Sequence, residues 1–179
     1  MNKAQIRKRM KSLNVAVAPE ERIRISERIF REVENLPAFK AAQIVAFFSS
    51  LRDEPSTSEA LERWSREKQV VVPRVEGDIM QFYTYNPATM SDGSFGILEP
   101  NPTDLCTPGK IDLIVVPGVA FSPAGMRLGR GKGFYDKYMS QPGFHAFKAG
   151  VCYPHQVTDE IPVDPHDIPV DCLCYGQTH

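Results

Sequence analysis

The residues with the greatest capacity for chemistry lie in the stretch 127–138, RLGRGKGFYDKY, where three glycines alternate with Arg130 and Lys132. Glycine permits positive φ and lets the backbone approach a ligand, because it has no Cβ. Backbone N–H groups and cationic side chains of such a loop can converge on one anion. The apolar run 111–116 precedes the stretch and a helix-compatible run follows it, which is the arrangement of many phosphate sites. We therefore expect a polyphosphate ligand, most simply a nucleotide; a solvated glycine-rich hairpin is the alternative.

Two familiar phosphate motifs do not fit this stretch. A P-loop has Gly, four residues, then Gly-Lys followed by Ser or Thr, but Met126 stands in place of the first glycine and Gly133 in place of the hydroxyl. A dinucleotide fingerprint needs a third glycine three residues after the second, and Phe134 occupies that position. The stretch is therefore neither motif.

The bulk composition indicates one ordinary globular domain. A chain of 179 residues is long enough for one buried core, and no linker divides it, so we expect a single α/β domain over residues 1–179. The net charge of −1 argues against a general nucleic-acid binder. No apolar stretch follows the basic N-terminus and none approaches a membrane span, so we expect a cytoplasmic protein without a secretory signal.

The cysteines show no CxxC spacing, so zinc ligation is not expected. Buried, reduced thiols in a cytoplasmic protein are the simpler interpretation. The four residues concerned are Cys106, Cys152, Cys172 and Cys174.

A short basic helix is predicted at residues 2–13. Its apolar stripe comprises Ile6, Met10 and Leu13 at helical spacing. Lys3 and Arg7 are four residues apart, so both project from one face and repel each other mildly. Two alternatives remain open: a solvated face, or an anion held between the two cations.

The remainder of the chain alternates helices and strands. A helix is predicted from Pro19 to Leu36, and another follows a capping box formed by Ser56 and Glu59. Buried strands are predicted at 44–48, 70–73, 111–116, 147–152 and 170–175, and a half-exposed, antiparallel edge strand at 79–85. Residues 86–110 form a long irregular connection.

This alternation predicts a single three-layer α/β/α sandwich with a mostly parallel central sheet. Open α/β sheets place ligands beyond the carboxyl ends of their strands. We therefore expect the loops 49–55 and 122–133 and the approach to residue 170 to meet at one edge of the sheet.

The combination of motifs resembles the 5-formyltetrahydrofolate cyclo-ligase (5,10-methenyltetrahydrofolate synthetase) family over nearly the whole chain. Four pieces carry the resemblance, in the family's order: Lys3-x-x-x-Arg7, Ser49-x-x-x-x-Glu54, the loop from Arg127 to Asp136, and the tail PHDIPVD ending at Asp171. Phe134 departs from the pattern, because many relatives have Tyr there.

The resemblance implies ATP and Mg²⁺ as cofactors and 5-formyltetrahydrofolate as the small-molecule substrate of a cytoplasmic, monomeric ligase that binds neither nucleic acid nor a membrane. Arg130 and Lys132 are implied as the catalytic cations, and Asp136 and Asp171 as the Mg²⁺ ligands. The implied ATP-binding residues are Lys3, Arg7, Arg127, Leu128, Gly129, Arg130, Gly131, Lys132, Gly133, Phe134 and Tyr135. The implied folate-binding residues are Ser49, Glu54, Arg130, Gly131, Lys132, Gly133 and Phe134.

The implied reaction is the cyclisation of 5-formyltetrahydrofolate to 5,10-methenyltetrahydrofolate with release of ADP and phosphate. The formyl oxygen takes the γ-phosphoryl group, and N10 then closes the ring as phosphate leaves. A non-catalytic relative that binds nucleotide or folate is the alternative. A sugar-phosphate isomerase would need a general base beside the loop, and the sequence offers none.

Several candidate residues also have plain structural interpretations. Asp136 is placed to be a first-turn helix acid, and Asp171 could simply accept a hydrogen bond from a neighbouring backbone N–H. The histidines are expected to be structural or surface residues: His145, His155, His166 and His179.

Overall fold

The computed structural model describes residues 1–92, 98–100 and 104–177. The helices are α1 (Lys3–Val15), α2 (Pro19–Glu34), α3 (Pro37–Ala41), α4 (Ser58–Ser65) and α5 (Phe134–Met139). The strands are β1 (Ile44–Ala46), β2 (Gln69–Glu76), β3 (Ile79–Thr84), β4 (Ser91–Asp92), β5 (Leu98–Glu99), β6 (Leu105–Cys106), β7 (Leu113–Pro117), β8 (Ala120–Phe121), β9 (Arg127–Leu128), β10 (Phe147–Val151) and β11 (Cys172–Cys174).

The central sheet has seven strands in the order β11-β10-β7-β1-β2-β3-β6. The strands from β11 to β2 are parallel to one another, whereas β3 runs antiparallel to both β2 and β6. The predicted α/β fold with a mostly parallel sheet is thus confirmed. The antiparallel direction of β3 is also confirmed, but its edge position is wrong, because β6 pairs beyond it.

Both faces of the sheet are covered, which explains the uninterrupted apolar strands. Along β7, Leu113 and Val115 pack in one core cluster with residues of α2, α3 and α4. Ile114 and Val116 point the other way and pack in a second cluster with residues of α5. Successive side chains of a strand alternate between the two faces, so a strand between two helical layers must be apolar throughout.

Helix α1 packs against the β8–β9 hairpin instead of the central sheet. Ile6 and Met10 join Val119, Ala120 and Leu128 in a third buried cluster. The predicted stripe is wrong at its last position, because Leu13 is 39% exposed and Asn14 is buried in its place. The Oδ1 atom of Asn14 lies 2.5 Å from His155 Nε2, and this contact fastens the end of α1.

The predicted capping box of α4 is also wrong. The N-cap residue is Thr57, and its side chain makes no capping hydrogen bond. Its Oγ1 instead accepts a hydrogen bond from Ser50 N–H at 3.0 Å, because the loop after β1 folds back over this position.

Residues 86–110 are less irregular than expected. Within their described part, Ser91 and Asp92 pair antiparallel with Leu98 and Glu99, and β6 joins the central sheet. Residues 93–97 and 101–103 of this segment lie outside the described residues, as does His179.

The predicted reduced thiols agree with the structure. All four cysteines are free; Cys106, Cys152 and Cys174 are buried, and Cys172 is half-buried. In the described part of the chain, no helix combines the length and the apolar character that a membrane span requires.

Candidate active site

A cavity of about 480 Å³ opens at the carboxyl ends of β1 and β7. The segments that were expected to converge all contribute here: loop 49–55 through Ser49 and Glu54, loop 122–133 through residues 127–133, and the approach to residue 170 through Asp164, His166 and Asp167. The lining residues are Lys3, Arg7, Phe48, Ser49, Leu51, Glu54, Pro73, Val75, Met80, Glu99, Pro117, Gly118, Arg127, Leu128, Gly129, Arg130, Gly131, Lys132, Gly133, Phe134, Tyr135, Asp136, Asp164, His166 and Asp167. Every predicted site residue except Asp171 is among them.

Residues 129–133, here called the glycine loop, need their glycines for geometric reasons. Gly131 and Gly133 have φ values of 109° and 71°, in a region that side-chain-bearing residues rarely adopt. A Cβ on Gly129 would lie 2.7 Å from Arg127 Nη1. The loop therefore exposes bare backbone to the cavity, as an anion cradle requires.

Arg127 is a buried cation beneath this loop, only 7% exposed. Its Nη2 lies 3.9 Å from Asp136 Oδ2, and its guanidinium lies over the ring of Tyr135 at 5.4 Å from the ring centroid. Burial lowers the pKa of Arg127, although the Asp136 carboxylate acts in the opposite direction. Among the described residues, nothing accepts a hydrogen bond from Arg127 Nε. A buried donor without a partner is costly, so an anionic ligand would suit this position.

Arg130 connects the glycine loop to the loop after β1. Its Nη2 lies 3.0 Å from Asp53 Oδ1 and 3.6 Å from Glu54 Oε2. Lys132 is exposed at the cavity wall. The predicted catalytic cations therefore differ: one is engaged with carboxylates and the other is available.

Glu54 is buried, with 8% of its surface exposed. Its Oε1 accepts a hydrogen bond from Leu51 N–H at 2.7 Å. Burial raises the pKa of Glu54, while the Leu51 N–H and the charge of Arg130 partly counteract the shift. The side chain lies in the same cavity as Ser49, so the structure brings the two predicted folate residues together.

Lys3 and Arg7 both line the cavity from α1, so the solvated-face alternative does not hold. Arg7 Nε donates to the Gly129 carbonyl oxygen at 2.9 Å, which ties α1 to the glycine loop. Lys3 forms an ion pair with Asp164 and lies 3.9 Å from Asp167. Leu128 is 2% exposed and packs against α1, and its carbonyl oxygen accepts from Val119 N–H at 2.8 Å within the hairpin.

The predicted pair of metal ligands is not brought together. Asp136 lines the cavity and accepts from Ile168 N–H at 3.1 Å. Asp171 precedes β11, where its Oδ2 accepts from Lys148 N–H at 2.8 Å and lies 3.5 Å from Lys148 Nζ. This position is at the amino ends of β10 and β11, whereas the cavity lies at the carboxyl ends. The expected pairing of Asp171 with Asp136 is therefore corrected in favour of the simple backbone contact.

Other acidic residues occupy the place expected for Asp171. Possible ligand atoms of Asp164, His166 and Asp167 all lie within 4.8 Å of one another, and all three residues line the cavity. His166 is exposed, as predicted, but it is also a cavity residue. His166 and Asp167 belong to the same tail motif, but only its last residue, Asp171, was predicted as a metal ligand.

Sequence reasoning also missed residues that come from the strands. Glu99 is buried in the cavity wall and accepts from Val75 N–H at 2.8 Å. Pro73, Val75 and Met80 supply apolar surface from β2 and β3. No local signal distinguishes these residues, because only the pairing of β2 with β3 and the contact of Glu99 with Val75 direct them to the cavity.

Comparisons with known proteins agree over the whole chain. A family model described as the 5-formyltetrahydrofolate cyclo-ligase family matches residues 1–176. The 5-formyltetrahydrofolate cyclo-ligase of Escherichia coli K12 is 30% identical over 168 residues, covering 88% of this chain and 91% of that protein. The NMR structure of Aquifex aeolicus 5,10-methenyltetrahydrofolate synthetase superposes with a TM-score of 0.89 at 36% identity, covering 99% of this chain and 91% of that chain. A 5,10-methenyltetrahydrofolate synthetase from Mycoplasma pneumoniae shares the fold, with a TM-score of 0.80 at 23% identity over 99% of this chain and 100% of that chain.

Proposed function

Because the chain belongs to the 5-formyltetrahydrofolate cyclo-ligase family, we propose that its cavity converts 5-formyltetrahydrofolate and MgATP to 5,10-methenyltetrahydrofolate, ADP and phosphate. The observation that carries this proposal is the convergence of the glycine loop and Glu54 on one cavity. A cationic loop suits the phosphates, and a buried carboxylate beside apolar walls suits a flat heterocycle with N–H donors.

The folate half of the site is the side that carries Glu54. An ionised carboxylate only accepts hydrogen bonds, so Glu54 binds the pterin through ring N–H groups. Phe48, Leu51 and Met80 line the same cavity and supply the apolar contact that a planar ring requires. Ser49 adds a hydroxyl at the same side.

The nucleotide half is the side formed by the glycine loop and α1. Its backbone and the cations Lys3, Arg7 and Lys132 face the cavity, which suits a chain of phosphates. The donor set also fits Mg²⁺, which prefers carboxylate oxygens and phosphates: Asp136, Asp164 and Asp167 line the same side. When bound there, Mg²⁺ would neutralise charge on the phosphates.

The residues suit phosphoryl transfer followed by ring closure. The formyl oxygen, a weak nucleophile, bonds to the γ-phosphorus as the bond to ADP breaks. N10 then attacks the activated formyl carbon, phosphate leaves with the former formyl oxygen, and the N10 proton passes to solvent. Phosphoryl transfer asks a protein mainly for positioning and charge neutralisation. Arg130 and Lys132 supply positive charge that neutralises the phosphates, and the cavity walls hold the two substrates in contact.

The test is an assay of the purified chain with 5-formyltetrahydrofolate and MgATP, following methenyl-folate absorbance and phosphate release together. We expect equal amounts of both products, no product without ATP, and loss of product when EDTA removes Mg²⁺. A folded preparation that binds ATP or folate but forms no product would overturn the proposal in favour of a non-catalytic binding protein.

A further inference from the structure

Arg22 of α2 does not line the cavity, yet it binds the loop that carries Glu54. Its Nε donates to the Glu54 carbonyl oxygen at 2.8 Å, and its Nη2 donates to the Leu51 carbonyl oxygen at 3.0 Å. The described residues include no carboxylate at ion-pair distance from Arg22. Its charge is therefore directed at the backbone of this loop and at the neighbouring Tyr153 hydroxyl, where it opposes the rise in pKa that burial causes.

One of the two carbonyls, that of Leu51, belongs to a closed ring of hydrogen bonds with Glu54. The Leu51 carbonyl also accepts from Glu54 N–H at 3.1 Å, and Leu51 N–H donates to Glu54 Oε1 at 2.7 Å. Movement of Leu51 therefore moves the N–H donor that orients the carboxylate. Arg22 holds Leu51 through its carbonyl oxygen, from outside the ring.

Helix α2 is a firm support for this contact. Ser26, one turn after Arg22, accepts from Ser56 N–H at 2.8 Å and donates to the Arg22 carbonyl at 2.5 Å. Ile29 and Phe30 then anchor the helix in the core. The Tyr153 hydroxyl donates to the same Glu54 carbonyl oxygen at 3.4 Å and lies beside Arg22. The segment that contains Glu54 is thus held at Leu51 by Arg22 and at Ser56 by Ser26.

We propose that Arg22 is a positioning residue for Glu54, and that it sets the affinity for 5-formyltetrahydrofolate without touching it. The proposal rests on the proposed function, since it assumes that Glu54 binds the pterin. Residues that orient a binding group can matter nearly as much as the group itself, because a small displacement weakens a directional contact.

The test compares Arg22→Met, Arg22→Lys and, as a matched control, Arg24→Met on the exposed side of the same helix. Arg22→Met should raise the KM for 5-formyltetrahydrofolate by about 10- to 100-fold and leave the KM for MgATP within about twofold. Lysine has one compact donor group in place of the fork, so Arg22→Lys should restore part of the affinity. Arg24→Met should match the wild type.

A double-mutant cycle separates positioning from general support of the fold. If Arg22 acts through Glu54, adding Arg22→Met to Glu54→Gln should change the folate KM by less than about twofold, since the two effects are coupled. Full additivity, or equal rises in both KM values with a lowered Tm, would show a merely structural role. Should Arg22→Met fail to fold, an unchanged folate KM in Arg22→Lys would overturn the proposal.

The outcomes are distinguishable from failure of the proposed function itself. If the wild-type protein forms no methenyl product, the proposed function and this inference fall together. If the wild type turns over and Arg22→Met keeps the wild-type folate KM, only the role of Arg22 is overturned.

Discussion

At the scale of single residues, the cations of the cavity differ in how far they are already engaged. Arg7 binds a carbonyl, Lys3 and Arg130 bind carboxylates, and Arg127 lies beside one. Lys132 is exposed, and in the described part of the chain it has neither a hydrogen bond nor an ion pair. Its ammonium can therefore reach a ligand without breaking an existing contact.

Lys132 is expected to act mainly on the rate. Lys132→Ala should lower kcat by about 10²- to 10³-fold, as for removal of one group that stabilises developing charge. Lys137→Ala, an exposed lysine of α5 outside the cavity, is the control. Steady-state assays of both variants provide the measurement, and near-normal turnover in Lys132→Ala would remove this residue from the mechanism.

Folate binding is expected to depend on pH through the ionisation of Glu54. Burial raises the pKa of Glu54 above its ordinary value, so its carboxylate is protonated at a higher pH than an exposed glutamate. Because the proposed contact with pterin N–H donors needs the ionised form, kcat/KM for 5-formyltetrahydrofolate should fall as the pH decreases through that raised pKa. The profile of kcat/KM against pH in Glu54→Gln should be lower but lack this acidic limb. An identical limb in the variant would assign the titration to another group.

At the scale of elements, α1 completes the side of the cavity that we propose for the nucleotide, although its residues come before every strand of the sheet. Its buried face packs on the β8–β9 hairpin, and the hairpin leads directly into the glycine loop. The helix, the hairpin and the loop thus form one unit. Arg7 joins them through the Gly129 carbonyl.

Loss of this link should weaken nucleotide binding. Arg7→Gln removes a charged donor from the loop, and such a hydrogen bond is worth about 1.5 kcal/mol, or roughly tenfold in affinity. We expect the KM for MgATP to rise by about that factor and the folate KM to change little. Arg9→Gln, an exposed residue of the same helix, is the control. An effect confined to folate would contradict the assignment of α1 to the nucleotide side.

At the scale of the whole molecule, the two-sided sheet is a platform that keeps the cavity loops in place. The core on the side of α2, α3 and α4 is built around Trp64, whose ring stacks on Phe47 at 4.4 Å and packs on Phe39 at 4.7 Å. Phe47 directly follows β1, and the loop that bears Ser49 and Glu54 begins two residues later. The expectation that this molecule is a monomer stays a prediction.

Trp64 should affect stability and leave binding unchanged. Trp64→Ala should lower the free energy of unfolding by about 3–5 kcal/mol, as for truncation of a buried aromatic residue. Ile23→Ala, at an exposed site of α2, should change it by less than about 0.5 kcal/mol. Urea unfolding followed by circular dichroism is the suitable measurement, because Trp64 is the single tryptophan. A loss below about 1 kcal/mol would contradict the central place of Trp64 in the core.

Much of the fold and most of the site could be predicted from the sequence because their signals are local. Apolar runs such as 111–116 indicate strands covered on both faces. Gly131 and Gly133 indicate backbone positions with positive φ. The order of strands and helices predicts that the loops after β1 and β7 lie at one edge of the sheet. Such features depend on neighbouring residues in the chain, so local sequence carries them.

The contacts that select one residue over another depended on the tertiary structure. Asp171 and Asp167 are both carboxylates of one short tail, and only the pairing of β11 with β10 turns the first away from the cavity while the second faces it. Ser56 was predicted as the N-cap of α4, but Thr57 occupies that position, and its hydroxyl oxygen accepts a hydrogen bond from Ser50 N–H across the loop. Arg22 belongs to no sequence motif, and it can position Glu54 only because α2 packs beside the loop that carries Glu54. The sequence by itself thus determined the main helices and strands and the cationic, glycine-rich character of the glycine loop. Tertiary packing decided which carboxylates face the cavity and which cation supports the loop of Glu54. Hydrogen-bond partners that are distant in sequence become neighbours only when the chain is folded.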